Sequence, residues 1–424
     1  MIKTDFENSK DFYQRKKCVL CNSKNIKEVL DFGKTPLANS YLKKISYQKE
    51  YKLNCLLCEN CGHLQLKTIV NPKKLFENYL YVSGTSPVLK KHFEEYCNKL
   101  ISYFKLRPKT DKVLDIACND GTFLDFFKKK NFINVIGVEP AKNLRNLNLK
   151  KGIDVNTFFF NEQSSLFLSK KYETFKIITA NNVFAHVPDI KSFVLGVKNI
   201  LDRDGIFVFE VSYLIDVINK LTFDTIYHEH MSYHALKPLI SFFEELDMEV
   251  FDFDLIEAQG GSIRVYVGFK RYHEVQKNKI KKQIKKEEKL GIFSKKFYNI
   301  FFDRIMQHKY KLKKMLDKIK KNNKKIVGYG APAKLTTLSY TFDLNKKYLA
   351  YIVDDNYLKQ GRLTPGKFIP IKSFQKFKND NFDYIIITAW NFAKPIKEKL
   401  FQELKGKKFK IITPFPKLEL SKSV

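Results

Sequence analysis

The sequence predicts an α/β chain in three parts: a small cysteine-stapled module, a central doubly wound domain and a second, smaller α/β domain. Three observations predict it. Five of the seven cysteines fall between residues 18 and 61. From about residue 80 to 270, buried strands alternate with amphipathic helices, the pattern of a mostly parallel sheet. A unit of strand, glycine turn and helix recurs in "KKIVGYGAPAKLTTLSY", beyond a lysine-rich stretch. A chain of 424 residues has room for two or three domains. We draw the boundaries at 1–79, 80–270, a helical connector 271–323, and 324–424.

In the first part, Cys18-x2-Cys21 and Cys58-x2-Cys61 form two thiolate pairs. Four thiolates suit tetrahedral Zn²⁺, and a small loop-rich module needs such a staple to fold. Cys55 also makes a CxxC with Cys58. We prefer Cys58/Cys61, because Gly62 follows Cys61 as a knuckle turn requires, while Cys55 lies in the apolar run "YKLNCLL". His63 is a possible substitute ligand, but the two pairs already fill four positions. A closed site makes the zinc structural.

In the second part, "KVLDIACNDGTFLDFFKK" reads as buried strand, tight turn at Asn119–Gly121 and helix. "NVIGVEPA" is the next strand. "FKIITANNVFAHVPD" and "GIFVFEVSY" are two more with a helix between, and "MEVFDFDLIEAQGGSIRVYVGF" is a strand pair joined at Gly-Gly. Ligands of such sheets sit at the carboxyl ends of the strands. Asp115 ends the first strand and Glu139 the second, about two dozen residues on, the layout of a cleft whose acid holds a ribose diol. The turn has one glycine, not the three of a dinucleotide fingerprint. A cofactor without phosphate, S-adenosylmethionine, therefore fits better than NAD.

In the third part, "GYGAPAK" resembles a phosphate-cradling turn. Gly328 and Gly330 free the backbone, Pro332 suits a first helical turn, and Lys334 adds charge. Lys359 is a second candidate for a pyrophosphate. Taken alone, this turn also permits NAD. The rival readings are thus a nicotinamide-dependent sugar oxidoreductase and a non-catalytic methyltransferase-like scaffold.

The net charge of +32 comes from lysines spread along the whole chain. The densest run, "KRYHEVQKNKIKKQIKKEEKLGIFSKK", is helical in pattern and carries glutamates, so it reads as a solvated helix. No nucleic-acid motif, signal peptide or membrane-length apolar run is found, and we expect a cytoplasmic protein. No motif sets the oligomeric state; a monomer fits.

"FDTIYHEHMSYH", residues 223–234, holds three of eight histidines and two carboxylates, with no period that sorts its apolar residues onto one face. His228 and His230 share a face of an extended loop and so could chelate a metal. They lack the i,i+4 spacing of a zinc protease motif and a further ligand cluster.

Taken together, "CVLC…DFGKTPLANSYL…CENCGHLQL", "YLYVSGTS", "DIACNDGTFL", "GVEPA", "ANNVFAHVPD", "FDTIYHEHMSYH", "GGSIRVYV", "GYGAPAK", "DDNYLKQGRLTPG" and "AWNFA" resemble the nucleotide-sugar C-methyltransferases that branch 4-keto deoxysugars. Order and spacing match over nearly the whole chain. The resemblance implies an N-terminal zinc module, a central class I methyltransferase Rossmann-like domain and a C-terminal Rossmann-like domain that binds the nucleotide sugar. It implies a cofactor site at Asp115, Ala117, Asn119, Gly121, Glu139, Asn181 and Asn182, and a substrate site at Gly328, Gly330, Ala331, Lys334, Lys359 and Asn391. One departure is Ala117, where the family usually has glycine; alanine fits if φ is negative there.

Methyl transfer to carbon requires a base near a C–H beside a ketone, a donor near the ketone oxygen, and the sulfonium methyl in line. No metal is required. The resemblance assigns His230 as the base and puts Tyr227, Glu229, Tyr81 and His186 in its pocket. Glu229 and Tyr227 would orient substrate hydroxyls or tune the base, and Tyr81 or His186 would face the keto oxygen. The expected reaction is C-methylation of a nucleotide-diphosphate 4-keto-deoxysugar at C3, with C5 the alternative.

Overall fold

The computed structural model describes residues 11–77, 79–257 and 260–422. The first ten residues of the module, and Ala258 and Gln259 of the Gly-Gly turn, lie outside them. In the module, β1 (Phe12–Gln14) pairs with β5 (Thr68–Val70), while β2 (Ile26–Thr35), β3 (Tyr51–Cys58) and β4 (Leu64–Leu66) form an antiparallel sheet.

The central sheet is built from β6 (Val113–Ile116), β7 (Val135–Val138), β8 (Asp154–Asn156), β9 (Phe175–Asn181) and β10 (Leu201–Ser212). A short β11 (Ser232–Tyr233) follows, then β12 (Met248–Ile256) and β13 (Ser262–Phe269). The order is β12-β13-β10-β9-β6-β7-β8, with β13 antiparallel to both neighbours and the rest parallel. This is the class I methyltransferase sheet. The strands read as unbroken apolar runs because both faces are buried. Val113, Ile177, Ile206 and Val208 pack with Phe93 and Phe127 on one face. Their alternates Leu114, Ile178, Phe207 and Phe209 join a core shared with the zinc module.

Two helices, Lys277–Leu290 and Lys295–Lys321, form the connector. The last sheet comprises β14 (Ile326–Tyr329), β15 (Leu349–Val353), β16 (Ile371–Lys372), β17 (Tyr384–Ile387), β18 (Lys410–Thr413) and β19 (Glu419–Lys422). Its order, β16-β15-β14-β17-β18-β19, is the Rossmann order with an antiparallel last strand. Both large sheets thus reverse direction beside their first strand, at β6/β9 and β14/β17, where open α/β sheets bind ligands. Among the described residues no helix is long and apolar enough to cross a membrane.

Residues 223–234 owe their irregular pattern to three sets of partners. Ser232 and Tyr233 form β11, which pairs not with the central sheet but with β4 of the zinc module. The Met231 amide bonds the Ala185 carbonyl and its carbonyl accepts from Leu66. Thr337, from the C-terminal domain, donates its hydroxyl to the Ile226 carbonyl at 2.6 Å. The backbone is satisfied by all three parts of the chain, so no single period governs it.

Candidate active site

The four sulfurs of Cys18, Cys21, Cys58 and Cys61 lie within 4.8 Å of one another. Cys18–Cys61 and Cys21–Cys58 are 3.6 and 3.5 Å apart, near the ~3.8 Å edge of a tetrahedron with Zn–S bonds of about 2.3 Å. The donor set fits structural zinc and leaves no open position. Gly62 takes φ +81° and donates its amide to the Cys58 carbonyl, closing the knuckle. Cys55 is wholly buried in β3 and its thiol is pushed up by burial, as a core residue's would be. His63 packs on His234, away from this cluster, with ring centroids 5.4 Å apart.

A single cleft of about 1300 Å³ runs across the mouths of the central and C-terminal sheets. Its central-domain wall includes Asp115, Ala117, Asn119, Glu139, Asn181, Asn182 and His186. Glu139 accepts the backbone amides of Asn119 (2.7 Å) and Ala141 (2.8 Å), and burial raises its carboxyl to about 7. Asp115 accepts the Thr179 hydroxyl at 2.6 Å and the Asn181 amide at 3.3 Å, and is likewise raised to about 7 by burial. Asn119 also holds the segment opposite: its Oδ1 accepts the Ser83 amide and its Nδ2 donates to the Tyr81 carbonyl.

Ala117 corrects the expectation drawn from sequence. It has φ +59°, not a negative φ, so a methyl group sits in the left-handed region where glycine is at ease. The cost is on the order of 1–2 kcal/mol. Asn119 and Asn182 are left-handed too, at +54° and +56°. The strand ends that face the cleft are therefore strained together. Gly121 starts the helix Thr122–Lys129 and is not part of the cleft lining.

His230 has both ring nitrogens engaged. Nδ1 lies 2.8 Å from the Thr225 carbonyl, which only an N–H can satisfy, so Nδ1 carries the proton. Nε2 is then the lone-pair nitrogen, and it accepts the Tyr227 hydroxyl at 2.9 Å. The ring stacks on His186 at 5.0 Å, and His186 on Phe76 at 5.4 Å. Burial, helped by nearby His186 and Lys334, holds His230 well below the usual imidazole range, and burial alone brings His186 to about 4. Both rings are neutral at physiological pH. Tyr81, half-exposed, lines the same cleft.

His228 turns the other way. Its Nε2 approaches the Lys52 carbonyl at 3.4 Å and its ring meets Tyr51 in the zinc module. The two imidazoles thus address different walls, and His228 secures the loop to the module. Glu229 is 1% exposed and lies behind the cleft wall, not in it. It accepts Asn39 Nδ2 at 2.6 Å and the Tyr79 hydroxyl at 3.1 Å. Its carboxylate is thus occupied by neighbouring side chains. Neither Asn39 nor Tyr79 was singled out by sequence reasoning, although each lies in a motif already quoted.

On the C-terminal wall, Gly330 (φ +91°) lets β14 turn against β17, since a Cβ there would meet that of Ala389 at 2.3 Å. Gly328 sits inside β14, packed on Ile352, and does not reach the cleft. Ala331 also lies outside the lining; its amide donates to Asp354 at 2.6 Å and its carbonyl accepts from Tyr41 and Lys359. Lys334 is half-buried in the cleft wall, 4.2 Å above the Trp390 ring, and desolvation lowers its ammonium to about 8 against the pull of Asp224. Asn391 lines the cleft with its Oδ1 unpartnered.

The sheet order and the strand-end acids define a class: an S-adenosylmethionine-dependent methyltransferase bearing a zinc-binding module. Comparison with known proteins narrows it. Family models match in sequence: a zinc binding domain at residues 18–76, a methyltransferase domain at 89–252 and a "C-methyltransferase C-terminal domain" at 257–416. C-methyltransferase NovU of Streptomyces niveus is 28% identical over 404 residues, covering 94% of this chain and 95% of that protein. The chain thus carries, in order, the zinc-binding, methyltransferase and C-methyltransferase C-terminal domains, and is similar to that C-methyltransferase over nearly its whole length. Among solved structures, an S-adenosylmethionine-dependent methyltransferase of Clostridium acetobutylicum aligns with 42% of this chain and 92% of its own, at 14% identity and TM-score 0.34. Magnesium protoporphyrin IX methyltransferase of Synechocystis aligns with 42% and 79%, at 9% identity and TM-score 0.32. The oxidoreductase and scaffold readings give way to the enzyme class that the family models define.

Proposed function

We propose that this enzyme methylates the carbon beside the ketone of a nucleotide-diphosphate 4-keto-deoxysugar, at C3 in preference to C5, in the cytoplasm. One observation carries the reading. The cleft of about 1300 Å³ joins the strand-end acids Asp115 and Glu139, the His230–Tyr227 pair and the turn at Gly330–Lys334 in one lining. A cofactor with a ribose and an acceptor with a phosphate-bearing tail would together span such a lining.

S-adenosylmethionine, when bound, supplies an electrophilic methyl. Glu139 would accept its ribose hydroxyls, and Asn181 and Asn182, which line the same wall, would help hold it. His230 acts as base through Nε2. Its Nδ1–H stays on the Thr225 carbonyl, which partly offsets the burial that disfavours the imidazolium formed on taking the substrate proton. The proton leaves the carbon, the electron pair spreads onto the ketone oxygen, and Tyr227 turns its hydroxyl from Nε2 toward that oxygen. Tyr81 and His186 border the same space and help hold the ketone. Lys334, beside Trp390, is the cation for the phosphate side of the acceptor, with Asn391 near it; Lys359, which lines the same cleft, adds a second charge and braces the turn by donating to the Ala331 carbonyl. Incubation of enzyme and acceptor in D₂O tests the proton-transfer step: exchange of the C–H beside the ketone is expected. Absence of both exchange and an isotope effect on turnover would exclude the enolate route.

A further inference from the structure

The zinc module does more than pack against the central domain. Its residues 38–41 reach both other parts of the chain: the Ala38 carbonyl accepts the Thr336 hydroxyl, and Tyr41 donates to the Ala331 carbonyl at 2.6 Å. Asn39, between them, lines the cleft and donates Nδ2 to Glu229, a partner 190 residues away in sequence. Glu229 is buried behind the lining. Above about pH 7, where Glu229 is ionised, its carboxylate accepts and never donates, so it admits only one orientation of the amide. With Nδ2 turned back onto Glu229, the carbonyl oxygen of Asn39 is the atom turned to the cleft. Tyr79 is fixed by the same carboxylate: its hydroxyl proton points at Glu229, leaving its oxygen lone pairs outward.

We infer that Asn39 of the zinc module is a substrate-binding residue, whose carbonyl oxygen, aimed by Glu229 and flanked by the Tyr79 oxygen, accepts a hydroxyl of the sugar acceptor. This rests on the nucleotide-sugar reading above. Two fixed acceptors side by side select a donor, which a sugar hydroxyl is and a ketone or phosphate oxygen is not. The zinc site then serves the chemistry at one remove, by holding the strand pair from which residues 38–41 project.

The test is steady-state methyl transfer by the zinc-loaded enzyme from labelled S-adenosylmethionine to whichever nucleotide 4-keto sugar the wild type uses. Asn39→Ala should raise KM for the sugar about tenfold, with kcat less affected and with zinc content and S-adenosylmethionine affinity unchanged. Asn39→Asp separates positioning from folding. Its protonated carboxyl donates to Glu229 and offers a carbonyl to the cleft as asparagine does, whereas the ionised form repels Glu229. Relative to wild type, this variant should therefore work at mildly acidic pH and lose sugar affinity as pH rises through neutrality. Wild-type KM in both variants at every pH would overturn the inference and leave the parent reading standing. Failure of the wild type to methylate any nucleotide keto sugar would overturn both.

Discussion

Replacing His230 with alanine removes three things that the structure makes separable. The Thr225 carbonyl loses its donor at 2.8 Å and the Tyr227 hydroxyl its acceptor at 2.9 Å. Both groups are buried, and each partner left unmet costs about 1–3 kcal/mol. The third loss is the base itself, worth about 10²–10⁴ in rate, or roughly 3–5 kcal/mol of barrier. His230→Ala should thus be less stable and nearly inactive, while binding S-adenosylmethionine as wild type does, because the acids of the cofactor wall keep their own partners. His230→Asn, able to return an N–H toward Thr225, should recover stability without recovering rate. Titration calorimetry with the cofactor, thermal melts and single-turnover transfer of labelled methyl separate these effects. A rate for His230→Asn within about threefold of wild type would remove His230 as the base. The pH profile adds a second check. His230 is held well below its usual range, so its neutral form persists into mildly acidic solution and no activity limb near pH 6.5 belongs to it.

Further expectations follow from other residues. Burial lifts Glu229 to about 7, so folding favours its protonated form: that contribution is present at low pH and lost as pH rises through about 7. Glu229→Gln should therefore gain thermal stability over wild type at alkaline pH and lose any activity limb near neutrality; a pH-independent difference in melting temperature would contradict this. Ala117→Gly should stabilise the protein by about 0.5–1 kcal/mol, the left-handed strain relieved less the added unfolded-chain entropy; a lower melting temperature would show that the methyl group packs usefully. Metal analysis should find one zinc per chain, lost with Cys58→Ser but retained in Cys55→Ser, with hydrogen exchange rising first in β2–β4 when zinc is chelated. Zinc loss from the Cys55 variant would redraw the ligand set.

The central and C-terminal sheets were legible because their inner strands are buried on both faces. "KVLDI", "NVIGV" and "YIII" announce themselves without alternation. Strands that were not legible are short or polar. Asp154–Asn156 is three residues long, and Glu419–Lys422 has a solvated pattern that only its register with β18 makes a strand. The four cysteines were legible by spacing. The choice of Cys61 over Cys55 rested on Gly62, whose positive φ bears out the turn. Spacing could not show that Glu229 lies behind the wall, nor that Asn39 and Tyr79 meet it from 190 and 150 residues away. Adjacent loop residues here face different domains, and that is set by β11 joining the zinc module's sheet. The φ of Ala117 was equally out of reach: at +59° the residue occupies a region that nothing in an alanine's identity announces.

The proposed reaction transfers a methyl group to carbon of a nucleotide keto sugar. Its most direct test is mass spectrometry of a panel of nucleotide-diphosphate 4-keto-deoxysugars after incubation with the enzyme and methyl-labelled S-adenosylmethionine. One added labelled methyl is expected, attached to carbon beside the ketone and absent with His230→Asn. Labelled methyl on oxygen, or no transfer to any sugar in the panel by an enzyme that binds the cofactor, would contradict it.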